Sequence, residues 1–149
     1  MDFYTSLLET SSSERTRVYS ATVKEGPMIS TEHRKLLIED FTKIKIKTSL
    51  WVTVGDKAPG PDRYNSQFFK DCWDIIKEVL LAGVMEFFKF GRILKIWNAT
   101  VLTLIPKKDH AETVGDYRPI ACCYTIYNIV SKMLSIILKK VLPDIISVN

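Results

Sequence analysis

The sequence predicts an α+β fold that is predominantly helical and has a small antiparallel sheet. Apolar residues recur at steps of three and four along three segments, at residues 31–49, 66–90 and 125–142, which is the spacing of a buried helical face. Two short segments, residues 99–105 and 117–123, are rich in β-branched and apolar residues and are typical of strands. The strands are few and the helical segments long, so the sheet is expected to be the smaller part of the fold.

The first predicted helix covers residues 31–49. Thr31 can cap it, because a threonine hydroxyl accepts a hydrogen bond from a free amide of the first turn, and Leu37, Phe41 and Ile44 follow at helical spacing. The other positions form either a solvated face or a surface that faces phosphates. They carry His33, Arg34, Lys35, Lys43, Lys45 and Lys47. Residues 55–61 (GDKAPGP) are predicted to be a loop, because their prolines and glycines cannot continue a helix or an inner strand.

The remaining elements are bounded by glycine and proline. In residues 66–90 the buried face is predicted to consist of Phe69, Trp73, Ile76, Leu80, Val84 and Phe87. Gly83 either splits this helix or allows close packing, and Gly91 ends it. The first strand, residues 99–105, is expected to be mostly buried and to stop at Pro106. The last helix, with the apolar stripe Ile126, Val130, Met133, Ile137 and Val141, is expected to stop at Pro143.

Composition narrows the class of protein. The 149 residues suit one domain or part of a larger one, and the formal charge of +4 is compatible with a polyanionic partner without demanding one. Cys72, Cys122 and Cys123 form no C-x-x-C pair, which predicts reduced thiols rather than a zinc site or disulfides. The N-terminus lacks a secretory signal and the apolar runs are too short to span a bilayer. A cytoplasmic or nuclear protein, neither secreted nor membrane-bound, is expected.

The common catalytic motifs are absent from the sequence. It contains no glycine-rich phosphate loop, no G-x-S-x-G and no H-E-x-x-H. Asp71 and Asp74 share a predicted helix face, but no other acidic or metal-binding residue converges on them. Asp109 and His110 are adjacent without an evident nucleophile, so a catalytic triad is not supported.

A string of short segments carries the positive signal. In chain order they are KAPGPD (57–62), QFF (67–69), WDII (73–76), EFF (86–88) with Gly91, NAT (98–100), LIPK (104–107), DYRPI (116–120), CC (122–123), YNIVSK (127–132) and VLP (141–143). In this order and spacing they resemble the start of the reverse transcriptase domain of plant LINE-type non-LTR retrotransposons. KAPGPD, LIPK and DYRPI are the most specific. The resemblance covers residues 57–149, as a truncated reverse transcriptase domain with fingers and the start of an incomplete palm. Residues 1–56 match more loosely, as a linker-like region preceding the polymerase.

The resemblance implies RNA-directed DNA polymerase chemistry on an RNA template and DNA primer, with deoxynucleoside triphosphates and, in the complete enzyme, Mg²⁺. Fixed cations at strand ends hold a triphosphate through charge-assisted hydrogen bonds. By this resemblance Arg118 and Lys107 are expected to contact the incoming triphosphate, and Lys108 and Lys132 the nucleic acid. The alternatives are a salt bridge of Arg118 with Asp116 or a helix end, and a solvated turn lysine at position 107. The PGPD loop is expected to be structural.

Three positions depart from the resemblance, and one region is missing. Arg63 stands where the family usually has glycine, Asn128 where it has lysine and Ile137 where it has arginine. The last two remove positive charge near the expected nucleic-acid path. Nucleotidyl transfer needs two divalent ions held by carboxylates, which the resemblance places beyond Asn149. This chain alone is therefore expected to hold no catalytic residue and no metal, and to lack polymerase activity.

The absent palm also bears on folding, since the apolar stripe of the last helix would lack a full partner, which predicts a marginal or aggregation-prone fold with an exposed apolar patch. The alternatives to an enzyme fragment are a non-catalytic nucleic-acid-binding remnant and a small helical interaction protein.

Overall fold

The computed structural model describes residues 2–9 and 18–146. Its elements follow in the order α1 (Asp2–Glu9), α2 (Ser20–Glu25), α3 (Thr31–Leu37), α4 (Lys43–Trp51), α5 (Ser66–Asp71), α6 (Trp73–Phe90), β1 (Thr100–Pro106), β2 (Tyr117–Cys123) and α7 (Thr125–Ile145). A single 3₁₀ turn, Val114–Asp116, precedes β2. The two strands pair antiparallel. The predicted α+β class, predominantly helical with a small antiparallel sheet, is confirmed.

One apolar core joins α4, α6 and α7. Its buried members are Ile46, Leu50, Leu80, Leu81, Val84, Ile129, Val130 and Met133, with Phe41, Phe69, Trp73, Phe87, Phe88 and Ile126 packed against them. Ile46 and Leu50 are four residues apart and therefore share one face of α4. Each fully buried aliphatic side chain of this kind contributes about 1.5–3 kcal/mol relative to an exposed one. The core thus holds a short helix from early in the chain against two long helices from later in it.

The single helix predicted over residues 31–49 is wrong, because the chain forms two helices with a break between them. Ser30, not Thr31, caps α3 by accepting a hydrogen bond from the His33 amide. The Thr42 side chain then accepts from the Lys45 amide and starts α4. Phe41, in the break, stacks on Phe88 with ring centroids 3.5 Å apart. The new start changes the phase of the helix, so Ile46 and Leu50 are buried and Ile44 is exposed. Of the predicted stripe, Phe41 still packs against the core and Leu37 is half-buried.

The segment at residues 66–90 is also two helices, and the boundary is at Cys72 rather than Gly83. Of the two alternatives for Gly83, close packing is the one found. A Cβ built on Gly83 would lie 2.8 Å from Cη2 of Trp97. Gly91 ends α6 in the left-handed conformation with φ 66, as expected of a helix C-terminus.

The strands form a two-stranded ladder that runs from Thr100 opposite Cys123 to Pro106 opposite Tyr117. The second strand has the predicted bounds. The first begins one residue later than predicted and includes Pro106, and all seven of its residues are exposed. The expectation of a mostly buried strand is therefore wrong. A two-stranded ladder leaves both faces open unless a further layer covers it, and β2 buries only Cys122.

The last helix, α7, runs through Pro143 to Ile145, so the predicted stop at Pro143 is wrong. Proline costs a helix one hydrogen bond and a clash with the carbonyl four residues earlier. In the last turn this loss is small, and the Ile146 amide still donates to the Leu142 carbonyl at 2.9 Å. Within residues 2–9 and 18–146 no helix is both long enough and apolar enough to cross a bilayer.

The PGPD loop packs against the start of α7. The Arg63 amide donates to the Gly60 carbonyl at 3.0 Å, which closes a tight turn. The buried Gly60 lies so close to the end of β2 that an added Cβ would be 2.7 Å from the Cys123 carbonyl. Thr125, at the first position of α7, donates its hydroxyl proton to the Tyr64 carbonyl at 3.2 Å. These contacts fix the loop beside the junction of β2 and α7.

Candidate nucleic-acid interface

The β1–β2 ladder brings two of the predicted site residues to one end of the sheet. Lys107 directly follows Pro106, the last residue of β1, and Arg118 lies opposite Ile105. The backbone amide of Lys107 donates to the Asp116 carbonyl at 2.7 Å, which continues the pairing for one more residue. The end of the hairpin therefore presents cations from both strands.

Lys107 is held in the turn by its own side chain. Its Nζ donates to the backbone carbonyl of Gly115 at 2.8 Å, and the residue is exposed. An ammonium group has three protons, so this contact leaves two for a further acceptor. The carbonyl is neutral, and Lys107 therefore keeps its full positive charge at the end of the sheet.

Lys108, by contrast, is paired with an acidic group. Its Nζ lies 2.9 Å from Oδ1 of Asp116. The other carboxylate oxygen, Oδ2, accepts from the Thr113 amide at 3.0 Å, from the Thr113 hydroxyl at 3.0 Å and from the Glu112 amide at 3.2 Å. The Thr113 backbone N–H, followed by Lys108, lowers the pKa of Asp116 from 3.8 to about 2. Asp116 is thus ionised at neutral pH and offsets the charge of Lys108.

Arg118 is exposed, and no ion pair or hydrogen bond within the described part of the chain engages its guanidinium. The alternative of a salt bridge with Asp116 is wrong, because that carboxylate is occupied by Lys108, Thr113 and Glu112. A guanidinium offers five N–H donors in a planar fork that matches phosphate oxygens. Arg118 is therefore a cation available to an anionic ligand.

A groove of about 600 Å³ lies at the other end of the sheet, and two more lysines line it. Its walls are residues 52–54 with Lys57 and Ala58, residues 120–123 of β2, and Asn128, Ser131 and Lys132 of α7. Lys57 and Lys132 are both exposed and take part in none of the ion pairs among the described residues. The Asn128 side-chain amide donates to the Cys123 carbonyl at 3.3 Å, so it supports the end of β2.

Arg118 precedes the residues of β2 that line this groove and is not itself one of them. Side chains two residues apart in a strand point to the same face, about 7 Å apart, so Arg118, Ile120 and Cys122 share a face of β2. The groove, however, is lined by residues from both faces, Ile120 and Cys122 on one and Ala121 and Cys123 on the other. Arg118, near the hairpin end of the sheet, and the two groove lysines, at its other end, therefore remain separate candidates, as in the sequence.

Lys57 was not among the site residues predicted from the sequence. It belongs to the KAPGPD loop, which the sequence marks as a turn through its prolines and glycines. What makes Lys57 part of the groove is the packing of this loop at the start of α7. No group of three or more His, Cys, Asp or Glu side chains in the part of the chain that the structure describes is arranged to hold a metal ion.

A scan against models of known protein families finds no match. The chain is similar to the Transposon TX1 uncharacterized 149 kDa protein of Xenopus laevis, with 30% identity over 120 residues. The chain is related to a transposon protein. The aligned part is 80% of this chain but only 9% of that relative, so the chain corresponds to a small part of a much longer polypeptide.

Proposed function

We propose that this transposon-related chain is part of a LINE-type non-LTR reverse transcriptase, within the fingers, and that it holds the phosphates of nucleic acid or of an incoming triphosphate. The resemblance of KAPGPD, LIPK and DYRPI to plant elements of this type supports the proposal. So does the similarity to a transposon protein. Residues 57–149 would be the fingers and the start of the palm, and residues 1–56 the region that precedes the polymerase.

The observation that carries the proposal is the unpaired guanidinium of Arg118 on an exposed strand face. Its neighbour Lys108 is offset by Asp116 at 2.9 Å, while Arg118 has no such partner among the described residues. Arg118 would bind triphosphate oxygens, with Lys107 as a second contact from the end of β1. Lys132 and Lys57 would hold the backbone phosphates of a strand that passes along the groove. Lys108 would contribute less, since an anion must compete with Asp116 for it.

The complete enzyme would use Mg²⁺, which supplies charge stabilisation at the attacking and leaving oxygens. In this proposal the residues described here bind and orient phosphates, and the metal ligands belong to a palm outside this chain. The partners would be an RNA template, a DNA primer and deoxynucleoside triphosphates, in the cytoplasm or nucleus. We expect no primer extension by the 149-residue chain with Mg²⁺, and extension above background would contradict the proposal.

Binding of a fluorescein-labelled single-stranded oligonucleotide, followed by anisotropy between about 50 and 200 mM salt, tests the central claim. Arg118→Ala should weaken binding several-fold and reduce the slope of log affinity against log salt by about one. The matched control is Arg92→Ala, which removes another exposed arginine, after α6. Equal losses in both variants would show that only net charge matters and would refute a specific role for Arg118.

Asn128 favours a second candidate, a nucleic-acid-binding remnant without a catalytic role. Its side chain supports the Cys123 carbonyl, at the position where the resemblance leads one to expect lysine. Asn128→Lys should strengthen oligonucleotide binding in the groove, with a steeper salt dependence. An unchanged affinity would indicate that the groove lies off the nucleic-acid path.

A further inference from the structure

A second groove, of about 700 Å³, lies on α6 and differs in chemistry from the groove lined by Lys57 and Lys132. It is lined mainly by Phe68, Phe69, Ile75, Val79, Trp97 and Ile126. Two of these are far more exposed than is usual for their type, Ile75 at 84% and Val79 at 79%. They are four residues apart and form a continuous apolar ridge on α6. Contiguous exposed apolar surface of this kind commonly marks a site that binds another molecule.

The rim of this groove is acidic. Glu78 and Glu86, both exposed, belong to its lining. Glu86 takes part in none of the ion pairs among the described residues, and Glu78 has only a 3.8 Å contact with the exposed Lys43. The chain as a whole carries a charge of +4, so the negative charge of this rim is opposite in sign to the net charge of the chain. Nucleic acid would be repelled here.

We propose that this groove binds the apolar face of a basic amphipathic helix from another polypeptide. Helices pack when the ridge of one enters the groove of another. Here Ile75 and Val79 form a ridge, and the space between them and Trp97 forms a groove. An apolar helical face in a groove is a common mode of peptide recognition. The acidic rim selects a helix whose flanks carry lysine or arginine, because complementary charge sets which partner binds.

Charge also argues against a second copy of the chain as the occupant. A symmetric dimer joins the same patch on both subunits, which would bring Glu78 and Glu86 of one copy against the acidic rim of the other. Like charges brought together at an interface disfavour association. A basic helix meets no such repulsion.

The spacing of the rim defines the partner further. Glu78 and Glu86 are eight residues apart in α6, which is about 12 Å along the axis. A bound helix roughly parallel or antiparallel to α6 would place two basic residues about eight positions apart. About 16 residues suffice to cover this stretch, and their apolar residues would recur at steps of three and four.

The test uses the full 149-residue chain and a 16-residue labelled helical peptide with leucines at steps of three and four and two lysines eight apart. A matched peptide carries glutamates in place of those lysines. Anisotropy should show saturable binding of the lysine peptide and at least several-fold weaker binding of the glutamate peptide. Glu78→Gln with Glu86→Gln should weaken the lysine peptide about five-fold, as expected for two exposed pairs. Ile75→Lys with Val79→Lys should abolish binding, and both positions are exposed enough for the chain to keep its helical circular dichroism.

Arg118→Ala serves as the control on the other surface and should leave peptide binding unchanged. Equal binding of the two peptides would overturn the proposal, since the groove would then bind apolar helices regardless of their charge. Absence of binding by the lysine peptide would overturn it as well. Self-association that is lost in the Ile75→Lys, Val79→Lys variant would assign the groove to a second copy instead. None of these results depends on whether the chain binds oligonucleotides, so this proposal and the proposed function fail separately.

Discussion

Arg63 and Gly91 have nearly the same left-handed backbone, with φ of 65 and 66. Glycine adopts this conformation freely, whereas a residue with a Cβ pays roughly 1 kcal/mol for it. Gly91 ends α6 at no such cost. Arg63 bears it, because the turn closed by the Gly60 carbonyl and the start of α5 fix its conformation. The resemblance to LINE-type sequences, which usually have glycine after PGPD, pointed to this position.

We therefore expect Arg63→Gly to stabilise the chain by about 1 kcal/mol, reduced somewhat by the greater freedom of glycine in the unfolded state. Urea unfolding followed by circular dichroism measures the change. Arg92→Gly is the matched control, since Arg92 does not have a positive φ. A stability gain of the same size in the control would disprove the backbone explanation.

Asp116 provides a second prediction at the level of one residue. Its pKa is lowered to about 2, chiefly by the Thr113 backbone N–H and then by Lys108. A carboxyl group whose pKa is lower when folded binds protons more readily when unfolded. Its contribution to stability is thus fully present above pH 3.8 and is lost as the pH falls towards 2. An NMR titration should find the Asp116 carboxyl midpoint near 2.

Lys108→Ala should raise that midpoint only part of the way to 3.8, because the Thr113 amide still donates to the carboxylate. Lys132→Ala, on α7, is the matched control and should leave it unchanged. A midpoint near 3.8 in the unmodified chain would show that the capped turn does not persist in solution.

Among the elements, the PGPD loop depends most clearly on one glycine. A Cβ on Gly60 would lie 2.7 Å from the Cys123 carbonyl atoms and 2.8 Å from the Tyr124 amide. These are backbone atoms, which cannot move without shifting β2 and α7. Gly60→Ala should therefore destabilise the chain by about 1–3 kcal/mol, as measured by thermal or urea unfolding. Gly115→Ala is the control, since its nearest atom would be 3.8 Å away. Equal effects would contradict the close approach.

Element types followed from the sequence, but the breaks between helices did not. Apolar periodicity and the glycine and proline signals fixed most of the helical segments, both strands and the loop before α5. Aromatic residues at or beside the breaks, at residues 38–42 and at Cys72, contact other elements. Phe41 stacks on Phe88, and Trp73 makes an edge contact with Trp51 across a centroid distance of 5.1 Å. Local patterns carry no information on such contacts, because the partners are distant in sequence.

The candidate site was predictable to a similar degree. The motifs identified Arg118 and Lys107, and the ladder places them at the same end of the sheet. The pairing of Lys108 with Asp116 could not be read from sequence, because Arg118 is nearer to Asp116 along the chain, at two residues against eight. Lys57 lines the same groove as Lys132 only because the PGPD loop packs at the start of α7. The sequence shows which residues are charged. Whether a charged side chain is free to bind a ligand depends on its neighbours in space, which the sequence does not show.

At the scale of the whole molecule, α7 has one face in the core and one face open. Ile129, Val130 and Met133 are buried, whereas Leu134, Leu138 and Leu142 remain between 37% and 44% exposed. The outward residues line an apolar groove with Pro143 and Ile146. An exposed apolar face is thus present, but it is not the predicted stripe, whose Val130, Met133 and Val141 are buried.

We expect Leu134→Gln with Leu138→Gln to raise the highest concentration at which the chain is still monomeric, because the exposed leucines promote association. Analytical ultracentrifugation measures this limit. Ser135→Gln, a polar change on the same helix, is the control and should have little effect. If the double variant associates as strongly as the unmodified chain, another surface is responsible. A loss of its helical signal would show instead that the leucines stabilise the fold.

The contact between α4 and α7 has a consequence during synthesis. Leu50 packs in the same core as Val130, although 80 residues separate them. At about 5–20 residues per second, a ribosome needs roughly 4–16 s to make that interval. Throughout it the apolar face of α4 has left, or is leaving, the ribosome without α7, so that its core is incomplete even after α6 has been made. Nascent chains stalled before residue 125 should therefore recruit chaperones at α4 until translation delivers the last helix.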